Sequence, residues 1–271
     1  MSKRYHFISG LPRSGSTLLS ALLRQNPRFH ASVTSPLYAM IDRMTDAMGA
    51  DKKYLNMIDD TCRARVLRGV FDSFYEDKPA EVIFDTNRLW TANIAMIAQL
   101  LPDAKIVCCV RDIFRIIDSF ERIGRKNPLQ YNSLFNFANE PSIYGRVKSM
   151  MNVSSGVIGG PHSALRSAWY TDLADRLILV RFDSLTRQPR ETLSRLYALL
   201  GEPAFEHDIA EVEADEVEYD LRIGLPGLHR VRRGVSPREQ PLTIPPDIYQ
   251  TYAKSDFWNS QEENIRRIPI L

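Results

Sequence analysis

Eight consecutive residues near the amino terminus, Gly10-Leu-Pro-Arg-Ser-Gly-Ser-Thr17, have the types and spacing of an anion cradle. The two glycines let the backbone turn tightly and aim successive N–H groups inward, and the residues after them open a helix whose positive end faces the turn. Arg13 brings a cation into the loop, while Ser14, Ser16 and Thr17 add hydroxyl donors. Phosphate-binding loops with the same Gly-x4-Gly spacing continue with a lysine that reaches the outer phosphates of a nucleoside triphosphate. Ser16 stands at that position here. The predicted chemistry is therefore recognition of a phosphate-like group, without the lysine that triphosphates need.

The elements that must position this loop are legible in the apolar pattern. Residues 5–9, 29–33, 82–84, 105–110 and 177–182 read as short buried strands. Leu18, Leu19, Leu22 and Leu23 recur at helical spacing after the loop, and Asn26-Pro27 stops that helix. Residues 38–75 are helical in period, with Met44, Met48, Met57, Val66, Leu67 and Val70 expected inward. Further helices are expected over 89–101, from Asp112 through Arg122, near 162–175 and over 189–200. The small-residue stretch Ser154-Ser-Gly-Val-Ile-Gly-Gly-Pro161 reads as a loop able to move. Beyond Gly201 an acidic segment (206–218) precedes a basic one (229–238). Strands alternating with helices imply an α/β fold, a parallel sheet flanked by helices in three layers, within a single domain over residues 1–271. Ligands bind beyond the carboxyl ends of such strands. The loops after Ser9, Phe84, Val110 and Phe182 are expected to surround one site.

Three segments together resemble the sulfotransferase family. The stretch GLPRSGSTLL resembles its 5′-phosphosulfate loop, PxRSGTTxL. Cys109-Val-Arg-Asp-Ile-Phe-Arg-Ile-Ile-Asp-Ser-Phe120 resembles its second motif, RDPxxxxxS. Val180-Arg-Phe-Asp-Ser-Leu185, with Pro189 and Leu200-Gly-Glu-Pro203, resembles a third, VRYEDL…P…LxxLLxFLGxP, with Phe182 in place of tyrosine. The order and spacing hold over about residues 5–203, nearest to the branch that includes bacterial and tyrosylprotein enzymes. The resemblance implies a P-loop-type sheet and transfer of a sulfuryl group from 3′-phosphoadenosine 5′-phosphosulfate (PAPS), leaving the 3′,5′-bisphosphate PAP. The acceptor would be a hydroxyl, phenolic or tyrosyl among the options, or an amine, on a small molecule or peptide. It further implies that Arg13, Ser14, Gly15, Ser16 and Thr17 hold the 5′ end and that Arg111 and Ser119 hold the 3′-phosphate. Residues 5–35 and 82–120 would form the donor core, with 36–80 and 124–165 on the acceptor side. Leu228-His-Arg-Val-Arg-Arg-Gly234 resembles the RKG element that lies over the 3′-phosphate, which points to Arg232 and Arg233. No metal is implied.

The sequence departs from the family where catalysis is concerned. Many sulfotransferases carry a lysine after the third strand; here Phe84-Asp-Thr-Asn-Arg-Leu-Trp90 has Thr86 at that place and a cation, Arg88, two residues on. Arg88 is expected to stabilise charge at the bridging oxygen. A general base must lie within hydrogen-bond reach of the acceptor proton. Asp85, at a strand's carboxyl end, is the first candidate and His30 the second; a base supplied by the substrate or through water is the alternative.

Composition sets the outer limits. Of 271 residues, 44% are hydrophobic and 25% charged, ordinary for a chain with a core. A net charge of +2 gives no sign of a nucleic-acid or membrane partner. Cys62, Cys108 and Cys109 are an odd count with two adjacent, which argues against a disulfide framework. With a strand-like segment directly after Met1-Ser-Lys-Arg, a cytoplasmic protein is expected. Two rival readings are a P-loop kinase or NTPase, with Asp85 as the magnesium-holding aspartate, and a non-catalytic PAP-binding homologue. Oligomeric state is open.

Overall fold

The computed structural model describes residues 3–50, 57–126, 140, 142–214, 216–231, 234–237 and 240–271. Five strands, β1 (Arg4–Gly10), β2 (Phe29–Ala31), β3 (Val82–Thr86), β4 (Ile106–Val110) and β5 (Leu177–Arg181), run parallel in the order β2-β3-β1-β4-β5. The helices of the first part of the chain are α1 (Ser16–Leu23), α2 (Leu37–Ala50), α3 (Asp60–Phe74) and α4 (Ile94–Leu100). They are followed by α5 (Ile113–Lys126), α6 (Ile143–Met150), α7 (Gly159–Trp169), α8 (Phe182–Arg187), α9 (Pro189–Leu200), α10 (Val217–Arg222) and α11 (Pro246–Tyr252). This is the α/β fold expected from the sequence.

The strand order makes β1 a switch point. The chain leaves β1 for β2 and β3 on one side, then crosses back to β4 and β5 on the other, and a crevice opens at the carboxyl ends between the two directions. Register brings the relevant loops to one level: Ile8 faces Thr86 on β3, and Gly10 faces Cys109 on β4.

Because successive strand residues point to opposite faces, the near-continuous apolar strands feed two cores. Phe7, Ile83, Cys108 and Leu179 join the core under α3, α4, α5 and α7, whereas Ile8, Phe84, Cys109 and Val180 join the one under α1 and α9. Cys108 and Cys109 are thus small core residues on opposite faces, both fully buried and unpaired. The carboxyl-terminal residues pair along β5, with Leu179 N–H donating to the Pro269 carbonyl (2.9 Å) and Leu271 N–H to the Leu179 carbonyl (2.8 Å). That pairing covers a sheet edge.

Several expectations are corrected. Met57 and Val66 are 76% and 40% exposed, so neither faces inward. The helix expected over 89–101 begins as a tight 3-10 turn at Trp90–Asn93. The stretch 154–161 is packed rather than free: Ile158 is fully buried, and the Ile158 N–H donates to the Met150 carbonyl (3.0 Å). Gly159 and Pro161 already belong to α7. Among the described residues no helix is long and apolar enough to cross a membrane.

Candidate active site

The loop after β1 is built by two left-handed glycines. Gly10 has φ 98°, and a Cβ there would meet the Cys109 carbonyl oxygen at 2.3 Å, so only glycine fits beside β4. Gly15 has φ 95° and is the N-cap of α1, which starts with no side-chain cap. The first-turn amides of α1 are therefore left for a ligand. Arg13 also adopts a left-handed backbone, φ 57°. The Ser14 hydroxyl turns inward, at 2.5 Å from the Leu11 carbonyl and 2.9 Å from that of Cys109. Ser14 braces the loop, so its expected contribution of a hydroxyl to the ligand is corrected; Ser16 and Thr17 line the cleft beside Gly15.

That cleft has a volume of about 340 Å³. Arg13, Arg88 and Arg111 all line it, and no carboxylate does among the described residues. Arg13 Nε donates to Ser119 Oγ (3.2 Å), and its Nη1 donates to the Leu228 carbonyl (2.6 Å). Burial, followed by the charges of Arg111 and Arg88, pulls the Arg13 pKa down to about 10. Arg111 donates to the Arg13 carbonyl (3.3 Å) and stacks over the Phe182 ring, 4.2 Å from its centroid. Burial lowers the Arg111 pKa as well, with Asp183 opposing it. The Arg88 guanidinium has no hydrogen bond or ion pair with any described residue, and burial lowers its pKa too. Thr86 Oγ1, at the place of the expected lysine, is buried without a partner and also borders the cleft. The charges of Arg111 and Arg88 disfavour the charge on Arg13, with Asp220 opposing them, and an anion in the cleft relieves that repulsion.

A second cleft of about 490 Å³ shares Arg13, Arg111 and Phe182 with the first and adds Ser119, Arg115 and Arg187. The Arg13–Arg111 pair thus stands between the two hollows, the second of which is also lined by Asp112, Asp118 and Asp183. Ser119, in the middle of α5, is brought to Arg13 because α5 begins directly beyond β4.

Two sequence candidates leave the site. Asp85 is fully buried and lines neither cleft. Its Oδ2 accepts from Ser35 Oγ and Tyr75 Oη (2.6 Å each), and its Oδ1 accepts from Trp90 Nε1 (2.6 Å). A carboxylate engaged by three donors, closed to solvent and outside both clefts is not placed to take a proton from an acceptor or to hold magnesium for a nucleotide. Burial raises its pKa, and the three donors oppose that. His30 pairs with Ile83 in the register of β2 with β3, well short of the strand end at Thr86. That register puts it toward the amino end of β3, away from the cleft; burial lowers its pKa, with Lys78 and Arg24 adding to the effect. Arg232 and Arg233 lie outside the described residues.

The structure adds a pair that sequence reasoning missed. Helix α10 and the residues after it fold over the loop, so Tyr219, Leu228 and His229 line the first cleft. His229 Nδ1 lies 2.6 Å from Asp220 Oδ1, and the His229 backbone N–H donates to Asp220 Oδ2 (2.8 Å). Asp220 is fully buried. Burial lowers the His229 pKa, Asp220 opposes this, and the charges of Arg13 and Arg88 add to the lowering. The signal available in the sequence was only an acidic stretch followed by a basic one containing a histidine. Among the described residues no group of three or more His, Cys, Asp or Glu is placed to hold a metal ion.

The fold is similar to the sulfotransferase domain from the Synechococcus PCC 7002 olefin synthase, with a TM-score of 0.52 and 19% identity over 96% of this chain and 97% of that one. The sulfotransferase domain from the curacin biosynthetic pathway matches 76% of each chain at 19% identity, with a TM-score of 0.49. A sulfotransferase from Alicyclobacillus acidocaldarius matches 82% of this chain and 90% of that one at 14% identity, also with a TM-score of 0.49. At such identities the likeness concerns the fold. Sequence carries the assignment further, since residues 6–207, most of the chain, match the model of the sulfotransferase family. The chain belongs to the sulfotransferase family.

Proposed function

We propose that the protein transfers a sulfuryl group from PAPS to a hydroxyl or amine acceptor. The observation that carries this reading is the set of four arginines, Arg13, Arg88, Arg111 and Arg230, around a cleft whose described lining holds no carboxylate. The unclaimed amides at the start of α1, the unpartnered Arg88 and the orphaned Thr86 hydroxyl fit a ligand rich in anionic oxygens. The donor carries phosphate groups at two separated positions, and two hollows that share Arg13 and Arg111 support that reading.

In this reading the α1 amides, Ser16, Thr17 and Arg13 hold the 5′ end, while Arg111 and Ser119 hold the 3′-phosphate. Each charge-assisted hydrogen bond contributes about 1.5–3 kcal/mol. Sulfuryl transfer, like phosphoryl transfer, passes through a loose transition state, so positioning and charge stabilisation supply most of the acceleration. Arg88 stabilises the charge that develops on the bridging oxygen as the S–O bond breaks. The sealed Asp85 counts against the NTPase reading, because that aspartate would have to reach a magnesium ion.

Calorimetric titration tests the donor. PAP is expected to bind in the micromolar range, with no heat from ATP–Mg at the same concentrations. Tight ATP–Mg binding with none for PAP overturns the reading.

A further inference from the structure

The proton that an acceptor must lose has no destination among the residues expected from the sequence. Asp85 is sealed and His30 is at the far end of the sheet. Of the described residues lining the first cleft, none is an aspartate or glutamate. The titratable ones are Tyr219, Arg13, Arg88, Arg111, Arg230 and His229, and of these only histidine has an ordinary pKa near neutrality.

The geometry around His229 suits a base. Asp220 accepts at both carboxylate oxygens, one from the imidazole Nδ1–H at 2.6 Å and the other from the His229 backbone N–H at 2.8 Å. Two contacts fix both the ring and the chain that carries it. With the proton held on Nδ1, the lone pair is on Nε2, and no described residue hydrogen-bonds that atom. Tyr219 packs its ring 5.3 Å from the imidazole. The charged groups that bear on the imidazole are Asp220 from α10, Arg13 from the loop after β1 and Arg88 from the turn after β3. The two cations favour the neutral ring, while Asp220 favours the charged one.

We propose that His229 is the general base of the reaction and that Asp220 is its positioning residue; this rests on the sulfuryl-transfer reading above. As the acceptor oxygen forms its bond to sulfur, its proton passes to His229 Nε2. The bond from sulfur to the 5′-phosphate oxygen breaks, and its electron pair leaves with PAP. The imidazolium left behind is stabilised by Asp220 and returns its proton to solvent.

The test compares the wild type with His229→Gln, His229→Ala and Asp220→Asn. PAP affinity is measured by calorimetry. Turnover is followed as PAP release from PAPS with phenols, sugars and tyrosyl peptides as acceptors, or with water if none of them accepts. Wild-type turnover is expected to rise with pH through one ionisation and then level off. His229→Gln is expected to lose about 100-fold in turnover and that ionisation, with PAP affinity kept within about threefold. Asp220→Asn is expected to lose about tenfold. Free imidazole is expected to restore part of the His229→Ala activity, more so as pH rises through the pKa of imidazole, which a structural role does not predict. Nitrogen-15 spectra of the histidine rings are expected to show His229 protonated only at Nδ1 at pH 7 with PAP bound. Full turnover in His229→Gln, or a ring protonated on both nitrogens in that complex, overturns the proposal while leaving the sulfotransferase reading intact. Failure of the wild type to bind PAP overturns both.

Discussion

Two buried aspartates, Asp85 and Asp220, are both fully removed from solvent, yet they do opposite work. Asp85 sits at the end of β3 and collects neutral donors from three directions: Ser35 ahead of α2, Tyr75 after α3, and Trp90 in the turn after its own strand. Every partner is spent on structure, and the carboxylate knots the helices beside β3 to the sheet. Among the described residues the Asp220 carboxylate hydrogen-bonds only His229, which lines the cleft and whose Nε2 has no described hydrogen-bond partner. Burial alone therefore says little about function. What separates the two sites is whether the partner keeps an unused polar atom and belongs to a residue that lines the cleft.

Outside the His229–Asp220 pair, the largest expected effect falls on Arg88, the cation that no described residue claims. Arg88→Ala should lower turnover by about 100-fold or more with PAP affinity retained, the usual cost of removing a charge aimed at a transition state. Turnover assays paired with calorimetry check this, and unchanged turnover removes Arg88 from the mechanism. Asp85→Ala should cost about 3 kcal/mol of stability, roughly 6 °C or more in Tm, because three buried donors lose their acceptor. Thermal melts read it. A normal melting point with abolished turnover would reverse the contrast between the two aspartates.

Arg111→Ala should weaken PAP by about tenfold to 100-fold and alter acceptor KM little, since the side chain faces the hollow shared with Ser119. Titration of Arg111→Ala with PAP decides it, and a selective effect on the acceptor would break the assignment. The smallest effect concerns a third carboxylate. Asp256 accepts from the Ile113 N–H at the start of α5 (3.1 Å), and burial raises its pKa to about 7. An acid whose folded pKa is raised binds its proton more tightly when folded, so stability falls as pH rises from about 4 to about 7. Asp256→Asn keeps an acceptor without the charge. Its advantage over the wild type should grow between pH 5 and pH 8, by on the order of 1 kcal/mol in denaturant melts.

Much of the fold and half of the site were readable along the chain. The loop from Gly10 to Thr17 is contiguous, and its glycines are demanded by local backbone geometry, so its position and shape follow from spacing. Arg111 and Ser119 were equally legible, because one strand-to-helix segment carries both to the same hollow. Asp85 was misread since an aspartate at a strand end looks alike whether it faces a cleft or a core. Tyr75 and Trp90 decide which, and nothing near Asp85 in sequence announces that their polar atoms converge on it. His30 failed for a reason of register: the short β2 stops opposite Phe84, below the level at which the other loops emerge. His229 and Asp220 went unnoticed because neither stands in a periodic or motif-bearing segment.

By itself the sequence determined the alternation of strands and helices, the glycine-built loop after β1 and the absence from it of a triphosphate lysine. These depend on neighbours a few residues apart, where apolar period and glycine geometry act directly. Only the tertiary structure decided which acid is sealed, which arginine is unpartnered and which histidine meets the cleft. Those properties depend on burial and on donors arriving from distant elements, which no local pattern encodes.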